Sequence, residues 1–320
     1  MWPNDYNQFT QNIKDYAPEE FKSKISTMNP LFEGVAANDA KDLVNFIIMT
    51  LHEELNKANN ENNDNNINLD QRNQMLMFNN FIQDFQKNNK SIISDLFYAI
   101  NCNKTKCGYC NTETYNYQTY FFIVFPLEEV RKFKSNNMNQ YNNFNNNFNY
   151  NFNNNFNNNF INNYNFDNNI VNIYDCFNYD RKINVMSGEN AMYCNYCQKT
   201  WASSMCTYLI SGPKILILLL NRGKGIEFNV KIQFPEFLDI SPFIVNQFNN
   251  NMNINFNYKL IGVITHIGES GMGGHFIAYC RDPITDNWHK YNDAIVTEVT
   301  NFQNDVINFA MPYLLFYQKI

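Results

Sequence analysis

Residues 262–299 read GVITHIGESGMGGHFIAYCRDPITDNWHKYNDAIVTEV, and the order of residue types along them decides the fold. Val263 to Thr265 and Phe276 to Tyr279 have the β-branched and aromatic content of strands. Between them stand Gly268, Gly271, Gly273 and Gly274, which permit positive φ and a close approach of the backbone to another group. His275 therefore falls where a flexible loop becomes a rigid strand. Asp282-Pro283 and Thr285-Asp286-Asn287 are turn formers, so the chain returns in a third strand that bears Trp288 and ends on Tyr291-Asn292-Asp293. On that strand Asn292 and Asp293 come alongside His275. An imidazole beside a carboxamide or carboxylate is the base-and-orienter half of a nucleophilic triad. The orienter fixes the tautomer, and the imidazole then activates a thiol or hydroxyl. A lone His in a hairpin is more often a satisfied structural residue, so this reading needs support from the rest of the chain.

The cysteines supply a second pattern. Of eight in all, four form the pairs Cys107-Gly-Tyr-Cys110 and Cys194-Asn-Tyr-Cys197. A two-residue gap lets two thiolates grip one ion from a tight turn, and two such knuckles complete a closed, tetrahedral, structural zinc site. The pairs lie too far apart for a compact finger, so tertiary structure must bring them together. Unrelated reduced pairs or a redox pair are the alternatives, and the flanks suit a thioredoxin-like turn poorly. Cys102 is unsuitably spaced to join the set, and Cys176, with apolar neighbours, reads as a core residue.

Composition sets outer bounds. The chain is 44% hydrophobic and 16% aromatic, enough for a sizeable core. A net charge of −6 argues against a nucleic-acid surface. No apolar run is long enough for a membrane span, and residues 1–11 do not read as a signal peptide. Without a secretion signal, metal-binding cysteines imply a reducing compartment, cytoplasmic or nuclear.

Asn38 to Leu55 reads as the strongest helix, capped by Asn38 or Asp39, with Leu43, Phe46, Ile47, Leu51 and Leu55 at helical spacing. Met75 to Tyr98 is helical in pattern, Tyr120 to Pro126 and Ile215 to Leu220 read as strands, and 228–240 reads as an edge strand plus turn. From about Asn136 to Asn169 the sequence is almost only Asn, Phe and Tyr, which predicts a low-complexity insert, because Asn side chains compete for the backbone.

GGHFIAYCRDP followed by WHKYNDAIVTEV resembles the His box of the ubiquitin-specific proteases, the papain-like cysteine deubiquitinases. In that resemblance His275 aligns with the catalytic His, Asn292 with the third triad member and Asp293 with the acidic residue that follows it. NPLFEGVAANDAKDLVNFIIMTLHEEL resembles the family's QQDA box, with core Gln-x-Asp-Ala-x-Glu-Phe. Asp39 and Ala40 match it, while Asp42, Leu43 and Ala37 stand where Glu, Phe and Gln are usual. SIISDLF, PKILILLLNRGKG and YLLFYQ are similar to further family segments.

The resemblance implies an α+β, papain-like fold over residues 1–320: a helical thumb (1–100), β-fingers (101–135 and 170–225, with the Tyr120 to Pro126 strand among them), a palm with the His box (226–320) and the insert at 136–169. It also implies a structural Zn²⁺ on Cys107, Cys110, Cys194 and Cys197 that ties the finger tips. Asp39, Asp42, Gly273 and Gly274 would hold a ubiquitin tail, and ubiquitin or ubiquitinated proteins would be the partners. The implied reaction is hydrolysis of the bond after the C-terminal Gly of ubiquitin. The family's nucleophilic Cys precedes the QQDA box, whereas the first cysteine here is Cys102. The expectation is an N-terminally incomplete domain, inactive alone. The alternative is a ubiquitin-binding pseudo-protease.

Overall fold

The computed structural model describes residues 19–34, 38–58, 70–143, 170–223, 229–245, 255–268, 273–308 and 311–320, with side chains described only to 136 in the third of these segments. In chain order the helices are α1 (Glu19–Met28), α2 (Ala40–Leu55), α3 (Gln74–Asn88), α4 (Ile92–Phe97), α5 (Leu127–Asn143) and α6 (Ile173–Asp180). The strands are β1 (Ala99–Cys107), β2 (Glu113–Tyr120), β3 (Phe122–Pro126), β4 (Ile170–Asn172), β5 (Asn184–Met186), β6 (Met192–Cys194), β7 (Lys199–Trp201) and β8 (Ser203–Leu209). They continue as β9 (Ile215–Asn221), β10 (Lys231–Gln233), β11 (Phe237–Asp239), β12 (Asn257–Ile267), β13 (His275–Arg281), β14 (Trp288–Asn292), β15 (Ile295–Glu298) and β16 (Pro312–Lys319).

The apolar run of β9 shows where the core lies. Leu216, Leu218 and Leu220 enter one buried cluster, while Ile217 and Leu219 enter another with Ile48 of α2, Ile93 of α4 and Leu314 of β16. Side chains alternate along a strand, so β9 is a continuous apolar run because both of its faces are covered. It lies in an eight-stranded sheet of order β15-β14-β13-β12-β16-β9-β3, with β11 added on β12. Its pairings are antiparallel except that of β3 with β9, which is parallel. The sequence reading placed the Tyr120 to Pro126 strand in the fingers. The structure instead ends β2 at Tyr120 and puts β3 in the large sheet, where Ile123 and Phe125 are buried. A separate four-stranded sheet has the order β2-β1-β8-β5, and β6 and β7 form a two-stranded sheet of their own.

The helices follow their caps. Asp39 caps α2 by accepting from Lys41 N at 2.8 Å, and Val44 and Ile48 pack on the sheet. Phe46 instead meets Phe32, ring centroids 5.5 Å apart, and Leu51 and Leu55 are exposed, so the buried stripe is narrower than the spacing suggested. The stretch Met75 to Tyr98 divides into α3 and α4 because Ser91 opens a new helix through a reciprocal capping box with Ser94. His52 Nδ1 lies 2.7 Å from Ser91 Oγ and joins α2 to that cap. The edge strand expected over 228–240 is two short strands, β10 and β11, separated by Pro235. α5 continues to Asn143, so the start of the Asn-rich segment is helical. The rest of that insert, 144–169, and most of the Asn-rich stretches at 59–69 and 246–254 lie outside the described residues. Among the described residues no helix is long and apolar enough to cross a membrane.

One buried charge gives a pH prediction. Burial of Asp180, the last residue of α6, raises its carboxyl from 3.8 to about 6, with Lys182 opposing the shift. A folded pKa above the unfolded one contributes stability that is complete below pH 4 and lost as pH rises through 6. Asp180→Asn should therefore unfold less readily than the wild type at pH 7.5, by about 3 kcal/mol. The gain should vanish near pH 4 in urea titrations. An equal gain at both pH values would show that the carboxyl does not titrate in this range.

Candidate active site

β13 begins on His275 and β14 ends on Asn292. Their register pairs Ala278 with Tyr291 and Arg281 with Trp288, which brings the two strand ends together. The hairpin is tied at its turn by Asp282 Oδ1, which accepts from Ile284 N and Thr285 N at 2.8 Å each. At the open end His275 Nε2 and Asn292 Oδ1 are 2.6 Å apart. A carboxamide oxygen only accepts, so Nε2 carries the proton and Nδ1 is the basic nitrogen. Asp293 Oδ2 stands 3.7 Å from Nε2, and its side chain is 82% exposed. Asn292 is thus the residue bonded directly to the ring, and Asp293 adds a solvent-screened charge. Asp293 has φ 50°, a left-handed conformation that Asp tolerates better than most residues.

The floor beside His275 contains residues that the sequence reading missed. His266 of β12 is only 9% exposed. A Cβ on Gly274 would collide with the His266 ring and with Ile267 O, whereas nothing among the described residues lies within 4 Å of one on Gly273. Gly274 is therefore required by close approach and has no positive φ. Residues 269–272 lie outside the described residues. Burial lowers the pKa of His266. The charge of Asp39 opposes this, and those of Arg222 and His275 reinforce it. Arg222, 2% exposed, donates from Nε to Pro312 O at 2.8 Å and from Nη1 to Val230 O at 2.6 Å. Burial lowers it to about 10, still cationic at neutral pH. Neither residue falls in a distinctive local pattern, so only the tertiary structure identifies them.

Asp39 and Asp42 differ in their surroundings. Asp39 caps α2 and accepts the Tyr313 hydroxyl, at 2.8 Å to Oδ1 and 2.7 Å to Oδ2. Asp42 is 43% exposed, with Lys41 Nζ 3.5 Å away.

All eight cysteines can be placed. Cys102, Cys176 and Cys206 are buried on β1, α6 and β8. Cys280 is exposed, but it lies five residues beyond His275 on the same strand, roughly 17 Å at strand rise. The remaining four converge, with their sulfurs all within 4.8 Å of one another. Cys110 Sγ is 3.7 Å from Cys194 Sγ, and Cys107 Sγ is 3.9 Å from Cys197 Sγ. A metal–sulfur bond of about 2.3 Å gives a tetrahedron with edges of about 3.8 Å, so the donor set fits one tetrahedral ion. The two turns share a geometry: Asn111 N donates to Cys107 O and Gln198 N to Cys194 O, and Asn111 and Gln198 both have φ near +55°. Hydrogen bonds from Thr112 lower Cys110 to about 6, while burial pushes Cys197 up to about 12. Four crowded sulfurs resist joint ionisation, which a bound dication would reverse.

The knuckle is also held to the turn that precedes α3. Arg72 lies over the Tyr196 ring at 4.6 Å, and the Tyr196 hydroxyl donates to Asp70 Oδ1 at 3.0 Å.

With this geometry in hand, the chain can be set beside known proteins. It is 26% identical to ubiquitin carboxyl-terminal hydrolase 2 of Gallus gallus over 316 residues, which is 94% of this chain and 74% of the relative. It is 23% identical to ubiquitin carboxyl-terminal hydrolase 4 of Vanderwaltozyma polyspora over 328 residues, covering 96% of this chain but only 32% of that protein. Among solved structures, the SAGA DUB module of Ubp8, Sgf11, Sus1 and Sgf73 bound to monoubiquitin superposes with a TM-score of 0.61 at 16% identity, covering 94% of this chain and 53% of that chain. The same module bound to ubiquitin aldehyde gives 0.59 at 17%, covering 93% and 53%. The family model described as ubiquitin carboxyl-terminal hydrolase matches residues 4–317. The chain therefore belongs to the ubiquitin carboxyl-terminal hydrolase family and has the α+β, papain-like fold of its ubiquitin-specific proteases.

Proposed function

We propose that this chain carries the ubiquitin-binding and proton-transfer machinery of a cysteine deubiquitinase and that the reacting thiol comes from sequence outside it. The observation that carries this reading is the 2.6 Å contact of His275 Nε2 with Asn292 Oδ1, which leaves Nδ1 as the basic nitrogen. Relatives named as ubiquitin carboxyl-terminal hydrolases and neighbours solved with ubiquitin support the substrate.

In the proposed reaction Nδ1 of His275 takes the proton of the thiol, and the thiolate attacks the carbonyl carbon of the C-terminal Gly of ubiquitin. The imidazolium then protonates the departing amine as the carbon–nitrogen bond breaks, leaving a thioester. His275 next takes a proton from water, whose oxygen attacks the thioester, and returns it to the departing thiolate. Throughout, Asn292 keeps the ring in the reactive tautomer. Cys107, Cys110, Cys194 and Cys197 would hold Zn²⁺, a structural ion that fixes the finger tips.

The second reading, a ubiquitin-binding pseudo-protease, is favoured by one observation: none of the eight cysteines stands beside His275. Both readings require ubiquitin binding. Titration of the 320-residue chain with ubiquitin should give saturable heat, with a Kd on the order of micromolar. No binding at several hundred micromolar would remove both.

A further inference from the structure

The carboxylate of Asp39, expected to grip a basic ubiquitin tail, is already engaged. Oδ1 accepts from Lys41 N at 2.8 Å. The Tyr313 hydroxyl lies 2.8 Å from Oδ1 and 2.7 Å from Oδ2, across 274 positions of sequence. Lys41 Nζ, 3.6 Å from Oδ2, completes its surroundings. Tyr313 is the second residue of β16, so this contact fastens the N-terminus of α2 to the palm sheet. Burial and the adjoining Asp39 charge raise the Tyr313 pKa, which keeps the hydroxyl a proton donor at every working pH.

The contact does not end at Tyr313. Its ring packs on Phe276, centroids 5.4 Å apart and planes at 47°. Phe276 directly follows His275 and packs edge-on against His266, centroids 4.8 Å apart. His266 in turn lies under Gly274. A row of touching groups, Asp39, Tyr313, Phe276 and His266, therefore runs from the cap of α2 to the glycines before His275. Each contact is short and directional, and a charge-assisted hydrogen bond such as that of Asp39 and Tyr313 is among the stronger ones.

We infer that Tyr313 is a positioning residue. By holding Asp39 it sets the spacing between the cap of α2 and the start of β13, the groove in which an extended C-terminal peptide tail would lie. The inference rests on the ubiquitin reading above. It assigns Asp39 an indirect task, anchoring one wall of the groove rather than pairing with the ligand's cations.

The test compares intact ubiquitin with ubiquitin trimmed of its flexible C-terminal residues, using the full 320-residue chain. The wild type should prefer intact ubiquitin. Tyr313→Phe removes the hydroxyl and keeps the ring. It should reduce that preference about tenfold and leave affinity for the trimmed form unchanged. Asp39→Asn keeps the cap and one acceptor for the hydroxyl, so it should lose part of the preference, and combined with Tyr313→Phe it should add nothing. A purely structural tyrosine would lower the Tm but leave the ratio of the two affinities intact, and that result overturns the role. If Tyr313→Phe fails to fold, Asp39→Asn reads the same ratio, and an unchanged ratio there has the same meaning. A wild type indifferent to the tail would instead defeat the tail-binding reading itself, and this role with it.

Discussion

A ubiquitin C-terminal amide should survive incubation with the 320-residue chain, because loss of a triad nucleophile costs on the order of 10⁶-fold in rate. The base is in order, with Nε2 committed to Asn292 at 2.6 Å. On the proposed reading its thiol lies outside this chain. Three of the thiols outside the cluster are buried on other elements, and Cys280 is roughly 17 Å along β13. Joining an upstream segment that starts a helix with a cysteine should produce turnover. His275→Ala should abolish that turnover, and Asn292→Ala should reduce it by about 10²-fold or more through loss of the reactive tautomer. Fluorogenic ubiquitin amide hydrolysis reads all three. Cleavage by the present chain that disappears in Cys280→Ser would mean the nucleophile is misassigned. A joined protein that stays inert with His275 and Asn292 intact would select the pseudo-protease.

The metal prediction has a comparably large effect. Structural zinc contributes about 10–16 kcal/mol of apparent binding free energy in small cysteine sites at neutral pH, and Sγ–Sγ separations of 3.7 and 3.9 Å already have the spacing it needs. Purified protein should contain one zinc per chain. Chelation or Cys194→Ser should expose the β6–β7 hairpin to protease, while the palm keeps its cooperative unfolding, since neither buried cluster contains a ligand cysteine. Metal content near zero, with all four thiols freely titratable in the native protein, would contradict the assignment.

The parts of this molecule legible in the sequence are those whose partners are near in the chain. The His275–Asn292 hairpin could be read because its turn is written in Asp282 to Asn287, and β9 because a strand covered on both faces becomes an apolar run. The zinc knuckles announce themselves through two-residue gaps, though their meeting does not. Longer-range arrangements were not legible. The resemblance places the strand at Phe122 among the fingers, whereas the large sheet takes it by pairing with β9. The break between α3 and α4 depends on Ser91 and Ser94 acting on each other, a signal present in the letters but weaker than the apolar pattern across it. Tyr313 meets Asp39 across 274 positions, Arg222 meets Pro312 across 90, and His266 lies over residues that only the strand pairing brings to it. Asp39 was recognised as a candidate cap and as a candidate ligand contact, and the sequence offered no means of foreseeing that a hydroxyl near the far end of the chain would occupy it.

The position of β16 has a consequence for how such a chain acquires its shape. This strand lies between β12 and β9, so until it arrives the two halves of the sheet have no common edge. Asn221 ends one of those neighbours, and the intervening strand starts only at Pro312. During synthesis the leucine-rich β9 can pair with β3 on one edge, but its other edge must wait while that whole interval is made. Non-local pairing of this kind slows assembly and leaves sticky strands uncovered in the meantime. A nascent chain stalled before Pro312 would therefore be a ready client for chaperones.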